Sequence, residues 1–339
     1  MKTRSRILGT GSYLPPRVVK NDDLKQYMDT SDEWIQQRTG IKQRYWVDKK
    51  ETTTSDLALM ASEKAIADAK IDKKEIDLII LATLSPDNEF PGTACALQDK
   101  LGVPEIPALD VRQQCSGFIY GVSIADQFIR TGMYKKVLVV GAEVHSKGLD
   151  LSDHGRDVSV LFGDAASAAV LGACEVKDDQ KDSYIYSTHL HADGKYRKEL
   201  WLPGLGMDFE YGARFHPKMV EDRDIFPKMN GKTVFVHASK RMPEAVLEAL
   251  AANGKKIEEV DLFIFHQANL RINEMVAKQL GIPADKCFNT IDRFANTTAA
   301  TIPLGMDTAV REGKLKRGML VCSATFGSGF TWGSMLMRW

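Results

Sequence analysis

A thiol, an imidazole and a carboxamide each stand where an apolar stretch gives way to small or polar residues. Cys115 lies in LDVRQQCSGFIYGVSIADQFIRTG, residues 109–132, at the joint between a strand pattern and an amphipathic helix pattern. His266 follows the apolar run DLFIF, and Asn296 opens ANTTAATIPLGM. A helix N-terminus carries unpaired N–H groups and partial positive charge, which favour a thiolate and lower a cysteine from its free value of ~8.5. Ser116 and Gly117 are small enough to admit a substrate to Sγ, and the Cys115 N–H can help to bind an oxyanion. The chemistry this allows is acyl transfer through a thioester. Each residue also has a structural alternative: a core thiol, a satisfied core histidine, a helix-capping asparagine. The local patterns alone leave both readings open.

Other chemical motifs say less. His189 and His191 in HLH share one strand face without a third ligand at metal spacing. FGSG lacks the Lys-Ser/Thr of a phosphate loop, and GTGSYLP lacks the third glycine of a dinucleotide fingerprint.

The elements around these residues alternate strand and helix through 339 residues, which predicts an α/β architecture of two domain-sized units. The chain repeats itself. KKEIDLIILATLSPD from Lys73 matches KKIEEVDLFIFHQAN from Lys255, each after an Ala-rich helix. The Cys115 helix with the strand after it matches NTTAATIPLGMDTAVREGKLKRGMLVCSAT. The common spacing implies a duplicated αβ domain. The polar segment 175–183 is the expected link, with halves 1–176 and 177–339. Related by an approximate twofold, these halves bring the Cys115 and Asn296 helix starts together, with His266 at a strand end where ligands gather.

Lys+Arg and Asp+Glu both number 45, which argues against a general nucleic-acid or membrane-surface binder. No apolar run reaches transmembrane length, and no signal peptide is expected at the N-terminus. Five scattered cysteines read as reduced thiols of a cytoplasmic protein.

Several longer segments carry a resemblance: DVRQQCSGFIYGVSIADQFI, LFGDAASAAVLG, HQANLRI, ANTTAATIPL and FGSGFTWGSMLMRW, with GTGSYLP, TSDEWIQQRTGIKQR and STHLHADG. Over nearly its whole length the chain resembles condensing enzymes of the thiolase superfamily, most closely β-ketoacyl-[acyl-carrier-protein] synthase III. The resemblance implies a thiolase fold, with two αβ halves in five αβαβα layers. It implies that Cys115 takes an acyl group from an acyl-CoA. Malonyl-acyl-carrier protein then loses CO₂ and its enolate attacks the thioester, which starts fatty-acid synthesis without a cofactor. His266 Nε2–H and Asn296 Nδ2–H are then donors to the developing oxyanion. Ser328, where the family more often has glycine, supplies a backbone N–H, and a positive φ there would strain it.

By the same resemblance, Trp34, Arg38 and Arg156 grip coenzyme A, and Gly231, Phe235 and Asn269 belong to the substrate channel. Phe90 closes the acyl pocket across a homodimer interface. Arg271, Lys278 and Lys232 meet the acidic carrier protein, although Val236 and Gln279 replace two usual basic residues. The segment 204–228 is longer than the family's usual connection and is expected to form a lid. These two departures also fit a specialised condensing or acyl-transfer enzyme of secondary metabolism, using CoA or another acceptor. A hydroxymethylglutaryl-CoA synthase would carry a glutamate where Leu84 stands. A thiolase would carry a cysteine in the C-terminal glycine loop, whereas Cys322 lies within the preceding strand. An intact Cys-His-Asn set argues against a binding module without catalysis.

Overall fold

Alternate residues of the buried strands feed two different cores, as the two-residue period of a strand requires. Ile80 and Ala82 of strand Leu78–Ala82, with Val137 and Val139 of strand Lys136–Glu143, enter a central core. Their neighbours Ile79, Leu81, Leu138 and Val140 enter an outer core beneath helices Thr54–Ala69 and Thr93–Leu101. The computed structural model describes residues 2–178, 181–208 and 211–339. Residues 179–180 of the expected link and 209–210 of the expected lid lie outside them.

The first sheet runs Lys2–Tyr13, Ala165–Val176, Lys136–Glu143, Leu78–Ala82, Ala108–Val111. The second runs Tyr184–Ala192, Thr331–Arg338, Leu320–Gly327, Leu262–Phe263. A parallel bridge from Phe263 to Cys287 stands where a fifth strand would lie. In each sheet the first three strands are antiparallel and the later pairings parallel. The detail repeats as well. Asp77 Oδ2 accepts the Lys135 N–H at 2.7 Å while the Asp77 N–H donates to Lys136 O at 3.0 Å. Asp261 Oδ2 accepts the Leu320 N–H at 2.8 Å and its N–H donates to Leu320 O at 2.9 Å.

Helices Gly117–Arg130 and Thr301–Arg311 lie between the sheets. Phe118, Ile119 and Val122 of one and Ile302 and Met306 of the other share the central core with Ile264, Val321 and Met335 of the second sheet. Helices Gly231–Ala252 and Leu270–Leu280 cover the outer face of that sheet. The order is helix, sheet, helix, sheet, helix: the five-layer thiolase arrangement.

The segment beyond residue 201 leaves the second half on a small antiparallel ribbon, with Leu200 opposite Met229 and Trp201 opposite Lys228. Met219, from the short helix Lys218–Glu221, is buried. Arg223 donates from Nε to Asp150 Oδ2 at 2.9 Å and from Nη2 to Ser152 Oγ at 2.9 Å, so this excursion is tied to the first half.

Candidate active site

Cys115 sits in a single 3₁₀ turn, Gln114–Ser116, and the α-helix proper starts at Gly117, two residues later than the sequence pattern suggests. Gln114 enters the turn at φ 42°, a strained conformation for a side chain-bearing residue. The turn is held by the second half: Thr325 Oγ1 donates to Cys115 O at 2.8 Å, and Thr331 Oγ1 donates to Ser116 Oγ at 3.2 Å.

The thiol is not the low-pKa group that a bare helix N-terminus predicts. Burial pushes Cys115 up to about 12, and the negative charge of Glu143 pushes the same way. Hydrogen bonds from the Cys115 and Ser328 N–H groups and the Thr298 hydroxyl oppose these effects without overcoming them. The resting sulfur is therefore a thiol within a ready-made set of donors for the thiolate.

His266 follows Phe265 at the end of its strand and is 2 % exposed. Its Nδ1 lies 2.6 Å from Thr301 Oγ1, and among the described residues Nε2 has no hydrogen-bond partner. Burial lowers its pKa to about 3, so the ring is neutral. Asn296 is 5 % exposed, and its Oδ1 accepts the Thr298 N–H at 2.9 Å. This is an Asx turn, and it fixes which end of the carboxamide is oxygen. Asn296 is not itself the helix cap that the sequence offered as an alternative, since Thr297 holds that position before the turn Thr298–Ala300.

Cys115, His266 and Asn296 line one cavity of about 560 Å³, together with Trp34, Arg38, Gly231, Lys232, Phe235, Asn269 and Arg271. The Trp34 ring lies under two guanidinium groups, Arg38 at 4.5 Å and Arg156 at 4.8 Å from its centroid. Asn269 caps helix Leu270–Leu280 by accepting the Arg271 N–H at 2.9 Å, and its Nδ2 donates to Arg38 O at 2.9 Å. Phe90 is 79 % exposed and does not line the cavity of its own chain. Lys278 is exposed on its helix, also apart from the lining.

Ser328 escapes the expected strain, because the positive φ of that loop, 135°, falls on Gly329. Cys322 is fully buried inside its strand and raised to about 12 by burial, apart from the cavity. His191 Nε2 lies 2.6 Å from Glu248 Oε2 and His189 Nδ1 3.4 Å from Glu248 Oε1, so both imidazoles turn to one carboxylate.

The sequence reading missed the polar floor of the site. Glu143 ends the strand after the Cys115 helix and is fully buried. Its carboxylate accepts the hydroxyls of Ser85 at 2.6 Å and Thr83 at 3.1 Å, and the N–H groups of Leu84 and Ser85 at 3.2 Å. Burial still raises it to about 7. Thr298 Oγ1 contacts His145 Nε2 at 2.8 Å, and burial lowers His145 to about 3. A glutamate closing the apolar run VLVVGA was the available signal, since strand ends at this edge of an α/β sheet collect functional groups.

Comparison with known proteins agrees with this geometry. Residues 109–194 match the family model described as 3-Oxoacyl-[acyl-carrier-protein (ACP)] synthase III, and residues 233–339 match the model of its C-terminal part. The chain is 48% identical over 336 residues to the β-ketoacyl-[acyl-carrier-protein] synthase III of Xanthomonas campestris pv. campestris, covering 99% of this chain and 98% of that one. It is 45% identical to the enzyme of the same name from Methylococcus capsulatus, covering all of both. A crystal structure of 3-oxoacyl-[acyl-carrier-protein] synthase III from Aquifex aeolicus VF5 superposes with a TM-score of 0.88 at 41% identity, covering 99% of this chain and 100% of that one. At 45–48% identity over essentially full length to curated relatives of one name, with family models matching both parts of the chain, the chain belongs to the β-ketoacyl-[acyl-carrier-protein] synthase III family.

Proposed function

We propose that this chain is an acyltransferase that condenses an acyl-CoA primer with malonyl-acyl-carrier protein and so initiates fatty-acid synthesis. The observation that supports it most is the neutral His266, its Nε2 unpartnered among the described residues, in the same cavity as Cys115 and Asn296. Two neutral donors facing one sulfur suit a reaction in which charge grows on a thioester oxygen.

In the first half-reaction Sγ of Cys115 attacks the acyl-CoA carbonyl carbon. The thiol proton leaves with the CoA sulfur, and the S-acyl bond moves from CoA to the enzyme. The Cys115 and Ser328 N–H groups take the oxyanion of that tetrahedral intermediate. In the second, the malonyl thioester places its carbonyl oxygen between His266 Nε2–H and Asn296 Nδ2–H. The C–CO₂ bond breaks, its electron pair forms the enolate, and the enolate carbon attacks the acyl-Cys115 carbonyl. The acyl–Sγ bond breaks as the tetrahedral intermediate collapses, the Cys115 thiolate takes a proton from solvent, and the products are CO₂, the β-ketoacyl-carrier thioester and the free thiol. Burial suits both steps, because a dry site strengthens each donor.

Trp34, Arg38 and Arg156 would hold the nucleotide end of CoA by stacking and phosphate pairing, and Gly231, Phe235 and Asn269 the arm that enters the cavity. Arg271 and Lys232 at the cavity, with Lys278 further along, would meet an acidic carrier protein. The reading takes the halves as 1–176 and 177–339. It places a second copy at Phe90, whose exposed ring would close the partner's acyl pocket. It calls for no cofactor and sets the enzyme in the cytoplasm. Among the described residues no helix is long and apolar enough to cross a membrane.

Exposure to acyl-CoA followed by mass spectrometry tests this. Acyl mass should appear on the Cys115 peptide and vanish in Cys115→Ala. Labelling that persists in Cys115→Ala would overturn the assignment. Comparing malonyl-carrier protein with malonyl-CoA as extender then separates this reading from a CoA-using specialised enzyme.

A further inference from the structure

We infer that the Ser328 hydroxyl is a positioning group that joins the excursion of residues 202–227 to the oxyanion site, so that the packing of this excursion sets the rate of thioester formation. The inference rests on the reading of Cys115 as the acyl acceptor. Ser328 acts at two ends. Its backbone follows Gly327, which lies against Cys115 so closely that a Cβ there would fall 3.3 Å from the sulfur, and its N–H is among the groups that favour the thiolate. Its Oγ donates to Leu200 O, on the ribbon from which the excursion hangs. Leu200 and its ribbon partner Met229 both line the catalytic cavity. Ser328 O in turn accepts the Thr331 hydroxyl at 3.1 Å, within the group that holds Ser116. A glycine at this position would keep the N–H and lose the tie to Leu200.

The far side of the excursion is fastened as firmly. Arg223 pairs with Asp150 and Ser152, at the start of the loop that leads to Arg156. The Gly204 N–H donates to Asp224 O at 2.7 Å and closes the excursion on itself. One segment thus connects the loop before Arg156, which stacks on Trp34, with the loop that aims a donor at the nucleophile. Neither the resting sulfur nor the cavity needs this connection to exist. Its effect falls on how well the Ser328 N–H stays placed as charge develops.

Ser328→Gly and Ser328→Ala test it, with Ser328→Thr as the variant that retains a hydroxyl. Loss of one hydrogen bond should slow acyl transfer to Cys115 about five-fold. The acyl-CoA concentration at half-saturation should stay unchanged, and Ser328→Thr should restore much of the rate. Trypsin should cut faster at Arg214, Lys218 or Arg223 in the Gly and Ala variants, and Arg223→Ala should show the same faster cutting with slower acylation. Slower acylation with unchanged cutting would overturn the coupling, and so would unchanged acylation in both hydroxyl-free variants. Absence of acylation in the parent chain would instead overturn the assigned chemistry, and the cutting pattern would still report whether the hydroxyl holds the excursion.

Discussion

Gly327 lies directly against Cys115, across the boundary between the two sheets: a Cβ built on Gly327 would fall 2.7 Å from Cys115 Cβ and 3.3 Å from its sulfur. No real Cβ tolerates the first distance, and the turn behind Cys115 is fixed by Thr325 and Thr331. Gly327→Ala should therefore push the nucleophile off its donors. We expect at least a ten-fold slower alkylation of Cys115 by iodoacetamide, with destabilisation of about 1–3 kcal/mol from overpacking. Alkylation at the parental rate would show that the turn can yield.

His266 and Asn296 should separate the two half-reactions. On the proposed mechanism, alanine at either position removes a donor to the malonyl oxygen and leaves the sulfur in place. Condensation should fall about 10²–10³-fold, while acylation of Cys115 measured by intact mass changes little. Equal loss of both half-reactions would contradict this division of labour.

Thr301 decides which nitrogen of His266 carries the proton. Its hydroxyl lies 2.6 Å from Nδ1 and 3.1 Å from Thr298 O. The one hydroxyl hydrogen serves either neighbour: given to Nδ1 it leaves the imidazole proton on Nε2, as an oxyanion donor requires, and given to Thr298 O it leaves that proton on Nδ1. Thr301→Val should lower condensation roughly ten-fold and Thr301→Ser should restore it. A Val variant with parental kcat would remove Thr301 from the mechanism.

Acid stability follows from the buried groups. His145 and His266 have folded pKa values lowered from 6.5 to about 3, so their contribution is present above 6.5 and is lost as pH falls through 3. Glu143 runs the other way: raised from 4.5 to about 7, its contribution is present below 4.5 and lost as pH rises through 7. The two effects oppose one another between 4.5 and 6.5 and cease to do so below 4.5. Thermal melts should therefore show Tm falling gently on acidification to about pH 4.5 and more steeply below it, where of the raised carboxyls only the buried Asp164 still opposes the histidines. His145→Gln should flatten the steep limb, and an unchanged limb would mean that His145 is not held neutral.

Carrier docking should be a matter of rim charge. Lys278→Glu lies outside the cavity lining, so it should raise KM for malonyl-carrier protein a few-fold and weaken its salt dependence. Acylation by acyl-CoA should be unaffected. A KM that ignores both charge and salt would point to an apolar dock.

Much of this protein can be read in its sequence because the signals are local. Continuous apolar runs gave the strands, and two like segments about 180 residues apart gave the repeat, which the similar Asp77 and Asp261 clasps echo. Cys115, His266 and Asn296 were identifiable because each sits where a strand meets a helix start and because the surrounding motifs resemble one family. The tertiary structure decided the protonation states. A helix-start cysteine reads as acidic, yet burial beside Glu143 leaves it a thiol, and burial is also what keeps the His266 ring neutral. Desolvation depends on what the other half of the molecule places on top of a residue, and only the fold brings Glu143, Thr298 and Gly327, from three separate segments, against the Cys115 turn.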